Sequence, residues 1–453
     1  MGKASPRSLG KMSARSERSY VARRLLLPAQ RFVHTAATSG IVLLASALVA
    51  LLWANSPWSR SYFDLWDTPF TLQLGGFSLS KELQHWVNDG LMGIFFFVVG
   101  LEIKRELVSG ELSDRRRAML PAAAALGGMV IPALFYAGMN AGGPGAMGWG
   151  IPMATDIAFA LGVLALVGDR VSRELRIFLL ALAIVDDLGA ILVIAVFYTK
   201  DSSGLALAAA GALLLVVLAM QRLGVISVYL YILVGVALWL AVLKSGVHAT
   251  LAGVLLGAVT PAQPYLTRRS FAGSADSLLS RFRSALQADD YDTADAALGE
   301  LEDVIEATES PLDRLLRVVH PWSSFLILPV FALANSGVEI SSDLAKSAAS
   351  SAVTIGVVLG LVLGKPIGVV LFVWLAVRLG VADLLKGVTW AQLAGVGALS
   401  GIGFTVSIFI SSLSFEGTPM LAEAKLGVLA ASLMAGGAGF LMLRLRTSPA
   451  PKS

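Results

Sequence analysis

Long apolar stretches recur along nearly the whole chain and determine its architecture. Each runs for about 20 residues, the length that an α-helix needs to cross the hydrocarbon core of a bilayer. The pattern predicts about twelve transmembrane helices, at residues 36–55, 82–102, 118–138, 148–167, 174–199, 204–221, 227–243, 246–260, 320–336, 352–377, 390–413 and 422–443. The chain is therefore predicted to be an all-α polytopic membrane protein that forms one bundle.

Two segments break this pattern and are predicted to lie outside the bundle. Residues 68–80 alternate between apolar and polar around Gly75-Gly76, which is typical of a β-hairpin, here on the external face. The second segment, 261–316, holds ten acidic residues and no Lys or Arg between positions 289 and 313. We interpret it as a cytoplasmic acidic insertion with a solvated helix, a surface feature without transport chemistry.

Composition and charge agree with a membrane protein and exclude other classes. Of the 453 residues, 56% are hydrophobic and only 15% are charged, which is too apolar for an ordinary soluble domain. The net charge is +4, but Lys and Arg cluster at the ends of spans, which disfavours a nucleic-acid-binding face. The chain has no cysteine, so neither a disulfide framework nor a thiolate metal site is available.

The distribution of basic residues predicts the topology. Lys and Arg concentrate in alternate loops, and by the positive-inside rule these loops and both termini lie in the cytoplasm. The chain then divides into a basic cytoplasmic tail at 1–35, spans one to eight within 36–260, the insertion, spans nine to twelve within 317–444, and a second cytoplasmic tail at 445–453.

Two adjacent carboxylates, Asp186 and Asp187, lie in the middle of a predicted span. A charged side chain at the centre of a membrane helix costs about 2.5–3.5 kcal/mol even on insertion scales, so each carboxylate needs a reason. Neighbouring residues on a helix point about 100° apart, because one turn contains 3.6 residues. One carboxylate can therefore face a positive partner while the other faces a hydrated cavity.

Two spans carry breaks at polar or glycine positions. Pro152 and the pair Thr155-Asp156 interrupt the span 148–167, and glycines interrupt the later span at 400–408. Glycine in a membrane helix usually serves packing, so the second break gains its meaning from pairing with the first. Freed carbonyls and half-helix ends supply oxygen ligands and dipoles that suit a hard monovalent cation. We therefore predict two discontinuous helices.

Three further ionisable residues lie within or near spans. Lys365 lies too deep in its span for the ammonium group to reach the interface, so a buried carboxylate is its expected partner. His248 lies near the external start of its span, where a structural role or a role as ligand or proton relay both remain open. His320, in a His-Pro-Trp motif at the entry to span nine, is interpreted as structural.

A charged cluster ends the second predicted span. Glu102, Arg105 and Glu106 stand at positions i, i+3 and i+4, so we expect an ion-pair network on one helix face at the cytoplasmic mouth. The network is either a solvated helix end or an entrance that responds to pH. With His248, these residues are the candidates for a pH response.

On these motifs the chain resembles the NhaA family of bacterial sodium/proton antiporters, over about residues 30–445. The motifs occur in the family's order: Ala-Thr-Asp-Ile-Ala-Phe-Ala-Leu-Gly at 154–162, Ala-Ile-Val-Asp-Asp-Leu-Gly-Ala at 183–190, Leu-Lys-Ser-Gly-Val-His-Ala-Thr-Leu-Ala-Gly at 243–253, Gly-Lys-Pro-Ile-Gly at 364–368 and Gly-Ile-Gly-Phe-Thr-Val-Ser-Ile-Phe at 401–409. The resemblance implies inverted-topology repeats in spans three to five and ten to twelve, an architecture for which this family is itself a standard example. The two discontinuous helices would cross in the middle of these repeats.

The same resemblance implies roles for the polar residues. Asp187 would carry the ion and the proton, and Asp186 would pair with Lys365. Thr155 and Asp156 would lie at the helix crossing, Thr155 joining the two adjacent aspartates around Na⁺ and Asp156 offsetting the half-helix dipoles.

The family further implies electrogenic exchange of Na⁺ or Li⁺ for H⁺, without a cofactor. It places the protein in the bacterial inner membrane, with the transported ions and the lipid bilayer as partners. A homodimer joined through the external hairpin is expected too, since an isolated two-stranded hairpin is only marginally stable in water and its edges invite pairing.

The chain departs from the family at one position. Family members usually carry a Glu four residues before the His-Pro-Trp motif, whereas here that position is Leu316 and the nearest acid upstream is Asp313. A pH-sensing role of that Glu therefore does not carry over to this chain.

The sequence thus predicts a secondary transporter and not an enzyme, in which Na⁺ and H⁺ compete for Asp187. A cation channel would need a continuous polar pore lining, and the polar positions are too few. An intramembrane hydrolase would need a His-Glu-x-x-His or Gly-x-Ser-x-Gly motif, and neither is present. A sodium-coupled solute symporter, which would also use broken helices, stays open as the alternative.

Overall fold

The computed structural model describes residues 38–446, apart from 76, 200–202, 224, 226–227, 265 and 386. The predicted tail at 1–35, residues 447–453 of the second predicted tail, and Gly76 of the predicted hairpin lie outside the described residues. Within them the chain is mostly helical with one two-stranded sheet, which confirms the predicted all-α architecture with a small β-hairpin.

The first half of the bundle contains the spans predicted before the insertion. Its α-helices are α1 Thr38–Ala54, α2 Ser59–Trp66, α3 Leu83–His85, α4 Met92–Ser109, α5 Arg115–Asn140, α6 Ile157–Val167, α7 Arg173–Phe197, α8 Gly204–Arg222, α9 Val228–Leu243 and α10 Thr250–Val259. The strands are β1 Pro69–Leu74 and β2 Phe77–Glu82. Short 3₁₀ segments lie at Glu111–Ser113, Pro144–Met153 and Gly168–Arg170, and a π-helical turn lies at Trp86–Leu91.

The second half contains the insertion and the last spans. Its α-helices are α11 Arg268–Gln287, α12 Tyr291–Thr308, α13 Pro311–Trp322, α14 Leu328–Asn335, α15 Ser342–Ser350, α16 Ala352–Leu359, α17 Lys365–Arg378, α18 Trp390–Ser400, α19 Phe404–Phe415 and α20 Met420–Arg446. Two π-helical turns, Ser323–Ile327 and Gly360–Gly364, join α13 to α14 and α16 to α17.

Helical structure coincides with each predicted span over the described residues. By length and composition, six helices among the described residues can cross a membrane, or up to nine when each bent pair counts as one span. The remaining predicted spans correspond to α4, α9 and α10, which are shorter or carry more charge. Both predicted discontinuous helices are present, with a bend of 44° between Pro144–Met153 and α6 and of 45° between α18 and α19.

The bundle has two distinguishable ends, set by the helix that runs continuously over 83–109. The β1–β2 hairpin leads directly into Leu83, and we call this the β end. At the other end of the helix, Lys104 Nζ donates a hydrogen bond to the carbonyl of Ala258 at 2.6 Å, where α10 finishes and the insertion begins. We call this the insertion end.

The hairpin at the β end pairs antiparallel from Pro69 opposite Glu82 to Leu74 opposite Phe77. Gly75 in its turn has a φ of 57°, a conformation that glycine adopts without a Cβ penalty. The indole of Trp86 donates to the carbonyl of Phe70 at 3.0 Å and so ties the hairpin to the first helix after it.

The helices α5 and α17 approach closely through facing glycines. A Cβ added to Gly127 would lie 2.1 Å from the carbonyl oxygen of Gly368, and a Cβ added to Gly368 would lie 2.1 Å from that of Gly127. Small residues allow such backbone contact in membrane bundles. This contact holds the start of α17, and with it Lys365, in the interior.

The insertion is a pair of helices rather than the single helix predicted near 289–313. The antiparallel helices α11 and α12 close at their base, where the backbone N–H of Leu266 donates to the carbonyl of Ala307 at 2.9 Å. The next helix, α13, starts at Pro311, before the predicted boundary at 316, because Ser310 caps it by accepting from the backbone N–H of Asp313.

Candidate functional site

The two broken spans meet at the centre of the bundle. The backbone N–H of Asp156 donates to the carbonyl of Ile402 at 2.6 Å, which joins the two unwound segments directly. The hydroxyl of Ser407, in the second broken span, donates to the carbonyl of Ile151 at 2.7 Å in the first. Backbone groups freed by the breaks are thus satisfied within the protein, as the membrane interior requires.

Asp156 lies where the amino ends of two half-helices converge. It caps α6, and its Oδ1 accepts from the backbone N–H of Phe159 at 2.9 Å. Its Oδ2 accepts from both the backbone N–H and the hydroxyl of Thr405, at 3.1 and 2.6 Å, in the first turn of α19. A carboxylate is stabilised at a helix amino end, because unpaired N–H groups and the helix dipole are positive there. Only 2% of Asp156 is exposed.

Lys365 finds the buried carboxylate partner that its position demanded. Its Nζ lies 2.5 Å from Oδ2 of Asp186 and donates to the hydroxyl of Thr155 at 3.0 Å. The Thr155 oxygen in turn lies 2.7 Å from Oδ2 of Asp186 and 2.8 Å from the carbonyl oxygen of Ser400, so its proton can be donated to either acceptor. Lys365, Asp186 and Thr155 are all fully buried.

The local sequence of α17 explains how Lys365 reaches this place. The π-helical turn Gly360–Gly364 precedes it, and such turns insert an extra residue that re-aims the following side chains. Pro366 follows in the first turn of α17, inside the helix that runs continuously over 352–378, so its missing N–H removes one intrahelical hydrogen bond beside the π-helical turn. The turn and the close contact with α5 bring the lysine to the first broken span.

Asp187 points to a different environment from its neighbour Asp186. It lines a cavity together with Thr155, Asp156 and, toward the insertion end, Glu102 and His320. Its Oδ1 is buried and has no hydrogen-bond partner among the described residues. The adjacent carboxylates therefore divide as the helix geometry predicted, one against a cation and one against a cavity.

The other predicted residues are not gathered in one cluster. Glu102 lies 3.5 Å from Nε2 of His320, and no ion pair joins Arg105 to Glu102 or to Glu106, all of which the structure describes. The expected network fails to form because Glu106 turns to the helix end and accepts from the backbone N–H of Glu111 at 3.0 Å.

His248 lies just before α10, at the β end and away from Glu102. Its Nδ1 is 3.1 Å from the Thr250 hydroxyl, and its ring packs edge-on against Phe409 at 5.2 Å. Leu316 is buried in α13 among apolar neighbours that include Val98 and Leu101 of α4. An apolar side chain thus fills the position where the family usually has Glu.

Sequence reasoning missed the placement of two residues. His320 was expected at a helix entry, but α13 starts well before it, so the imidazole lies mid-helix and lines the cavity. The sequence offered one signal of this placement. His320 stands four residues after Leu316, and residues four apart share a helix face when both lie in one helix. Thr405 was noticed only as part of a glycine-interrupted span, and its contact with Asp156 depends on the crossing of two distant segments.

Comparison with known proteins identifies one family. The family profile described as Na+/H+ antiporter 1 matches residues 30–443. The chain is 50% identical over 426 residues to "Na(+)/H(+) antiporter NhaA" of Oleidesulfovibrio alaskensis, covering 93% of this chain and 94% of that protein. It is 48% identical to "Na(+)/H(+) antiporter NhaA 2" of Syntrophotalea carbinolica, covering 92% and 96%, and 45% identical to "Na(+)/H(+) antiporter NhaA" of Sulfurimonas denitrificans, covering 93% and 96%.

Proposed function

The chain belongs to the Na+/H+ antiporter 1 family, and from that membership we propose that it exports Na⁺ or Li⁺ in exchange for protons. The observation that carries the mechanism is the division between Asp186 and Asp187. Asp186 is neutralised by Lys365, whereas Asp187 lines the cavity and Asp186 does not. Each of the two carboxylates keeps one buried oxygen that no described residue bonds. Sodium-coupled symport, the alternative left open by the sequence, finds no support in relatives that are all named as antiporters.

Competition at Asp187 couples the two ions. A carboxylate can hold a proton or a sodium ion, but binding one removes the negative charge that attracts the other. If Asp187 faces alternate sides of the membrane, this competition suffices for exchange. The half-helices at the crossing provide the element that moves, because families with inverted repeats rock one unit against the other around a fixed site.

The ligands for Na⁺ come from carboxylate, hydroxyl and carbonyl oxygens, which suit a hard cation. Asp187 supplies the charge, and Asp186 of the same helix and Thr155 of the unwound segment complete the site. Among the described residues no group of three or more His, Asp or Glu side chains is arranged to hold a metal ion. A Na⁺ ion held by so few side chains would bind loosely enough to be released during transport.

The charge balance of the exchange depends on the buried pair. Na⁺ and H⁺ carry the same charge, so competition at Asp187 alone would exchange them one for one. We propose electrogenic exchange, with more protons entering than sodium ions leaving, in which a second proton binds within the Lys365–Asp186 pair and the proton gradient drives sodium out. The protein lies in the bacterial inner membrane with its insertion end in the cytoplasm, a placement supported by the basic residues Lys104, Arg105 and Arg115–Arg117 at that end.

The test is transport by purified protein in sealed vesicles. Adding Na⁺ or Li⁺, with no organic solute present, should dissipate an imposed pH gradient that a dye inside the vesicles reports. Protein-free vesicles and addition of choline chloride are the matched controls. Proton movement that appears only after an organic solute is added would contradict antiport.

The external hairpin supports a proposed homodimer. Phe70 and Leu72 on β1 remain about half exposed, and an exposed apolar strand edge favours pairing with another chain. Deleting residues 73–78 should give monomers in detergent, measured by light scattering, while vesicle transport persists. An unchanged dimer would show that another surface joins the protomers.

A further inference from the structure

The insertion exposes a stripe of large apolar side chains. Tyr291, Leu298 and Ile305 follow one another at intervals of seven residues on α12 and are 65%, 44% and 50% exposed. Seven residues make nearly two helical turns, so the three side chains share one face. On α11, Leu279 and Leu286 are also seven apart and are 37% and 44% exposed. Such a face is costly to leave in water.

The stripes of the two helices lie on the same side of the hairpin. Residues two apart on a helix point about 200° apart. Leu298 and Glu300 therefore lie on opposite faces of α12, and Leu279 and Arg281 lie on opposite faces of α11. Arg281 and Glu300 contact each other at 2.9 Å and mark one side. The leucines must therefore share the other side and form a continuous apolar surface, which we call the hairpin face.

The charges beside the α12 stripe of the hairpin face are all acidic, whereas Asp276 and Arg283 border the α11 stripe. Asp295 and Glu302 lie four residues after Tyr291 and Leu298, so they border the stripe on the helix surface, and both are exposed. The helix α12 contains no Lys or Arg. An occupant of the α12 stripe must therefore be both apolar and basic. A second copy that met this stripe with its own α12 would bring acids against acids, and anionic lipid headgroups would be repelled there.

One segment of the same chain has this composition. Residues 1–35 hold eight Lys and Arg residues and a single acid, Glu17. Apolar residues accompany the charges, most clearly where Arg23-Arg24 precede Leu25-Leu26-Leu27. The segment lies outside the described residues, and residues 1–29 of it precede the matched family profile, which starts at residue 30.

The segment also starts from the right place. Ser39, near the start of α1, lines the same cavity as Glu102 and His320, and α1 runs from there toward α2 and the hairpin of the β end. A chain of 37 residues can extend to roughly 120 Å, and α12 is only about 27 Å long. Reach therefore does not limit the contact.

We propose that the basic segment 1–35 docks on the hairpin face of the same chain, with its apolar residues on the Tyr291–Leu298–Ile305 stripe and its arginines beside Asp295 and Glu302. The contact joins the amino-terminal tail to the insertion. Because the backbone N–H of Leu312 donates to the carbonyl of Pro261 at 3.1 Å, the insertion is anchored at the start of α13.

Disulfide formation in the full chain tests the contact, since the natural sequence has no cysteine. Ala22→Cys is combined with Gly299→Cys, which adjoins both Asp295 and Glu302, or with the control Gly273→Cys on the back of α11. A Cβ at either glycine meets no atom within 4 Å, so both variants should fold. The proteins are placed in phosphatidylcholine nanodiscs, oxidised with copper phenanthroline, and the disulfides counted by mass spectrometry.

The expected result is a several-fold excess of the 22–299 disulfide over the 22–273 disulfide. The excess should disappear in the Asp295→Lys/Glu302→Lys variant and at 1 M salt, where the screening length falls to about 3 Å. Equal yields at both glycines, or an excess that survives charge reversal, would overturn the proposal. A disulfide between two chains that each carry one cysteine would show that the tail binds a second copy. Loss of the excess in discs that contain anionic lipid would show that the tail binds lipid headgroups. Either result would also overturn the proposal.

Discussion

The centre of the bundle and the insertion each hold an ion pair, yet the surroundings of the two pairs differ completely. Lys365 and Asp186 are fully buried and share the hydroxyl of Thr155. Arg281 and Glu300 leave 48% and 49% of their side chains in water. Water can replace a lost partner on the insertion but not in the centre. The same chemical contact should therefore matter greatly in one region and little in the other.

The largest effect is expected at Asp187, whose Oδ1 no described residue bonds and which faces the cavity where the cargo binds. Asp187→Asn should reduce sodium-dependent proton movement to the level of protein-free vesicles while the protein still folds, because removing a buried charge does not raise the cost of insertion. Exchange in vesicles and thermal unfolding in detergent measure both parts. The matched control is Asp343→Asn at an exposed position, and exchange at normal apparent affinity in Asp187→Asn would refute the assignment.

The next effect concerns the stability of the buried pair. Lys365→Ala or Asp186→Ala alone should cost about 3–5 kcal/mol, because each leaves an uncompensated buried charge. The double variant should cost less than the sum, since neither charge remains. Thermal unfolding in detergent gives all three values. Additive losses would mean that the two side chains do not act as a pair.

A smaller effect is expected from removing the insertion. Deleting residues 263–310 should leave exchange active but shift its pH profile, because the insertion is anchored at the start of α13, which carries His320 beside Glu102. Exchange measured from about pH 6 to 9 covers the range in which His and perturbed carboxylates titrate. Superimposable profiles of the two proteins would show that the insertion has no influence on the pH response.

The smallest effect is expected at the exposed pair of the insertion. Arg281→Ala should lower stability by about 0.2–1 kcal/mol, the range of solvent-exposed ion pairs, and should leave exchange unchanged. Glu300→Ala and the double variant complete the cycle under the same unfolding assay. A loss comparable to that of Lys365→Ala would mean that burial does not separate the two regions.

Much of the fold was predictable because membrane insertion leaves a strong local signal. An apolar run of about 20 residues forms a helix in the membrane, because lipid offers no hydrogen-bond partners and a helix satisfies its own backbone groups. The breaks at Thr155-Asp156 and at 401–403 were visible for the same reason. The ion-pair network at Glu102 was not predictable from i+3 and i+4 spacing, because a helix end gives Glu106 a competing backbone donor at Glu111.

Local pattern alone settles that Asp186, Asp187 and Lys365 lie in the membrane and that a buried lysine needs an acid, because the cost of burying charge depends only on the span around it. Which acid it meets depends on the crossing of the broken spans and on the contact of Gly127 with Gly368, which join segments far apart in the chain. The same crossing brings Thr405 to Asp156, and the packing of α13 on α4 brings His320 to Glu102. Partner identity is a property of three-dimensional packing, and neither periodicity nor composition of one span contains it.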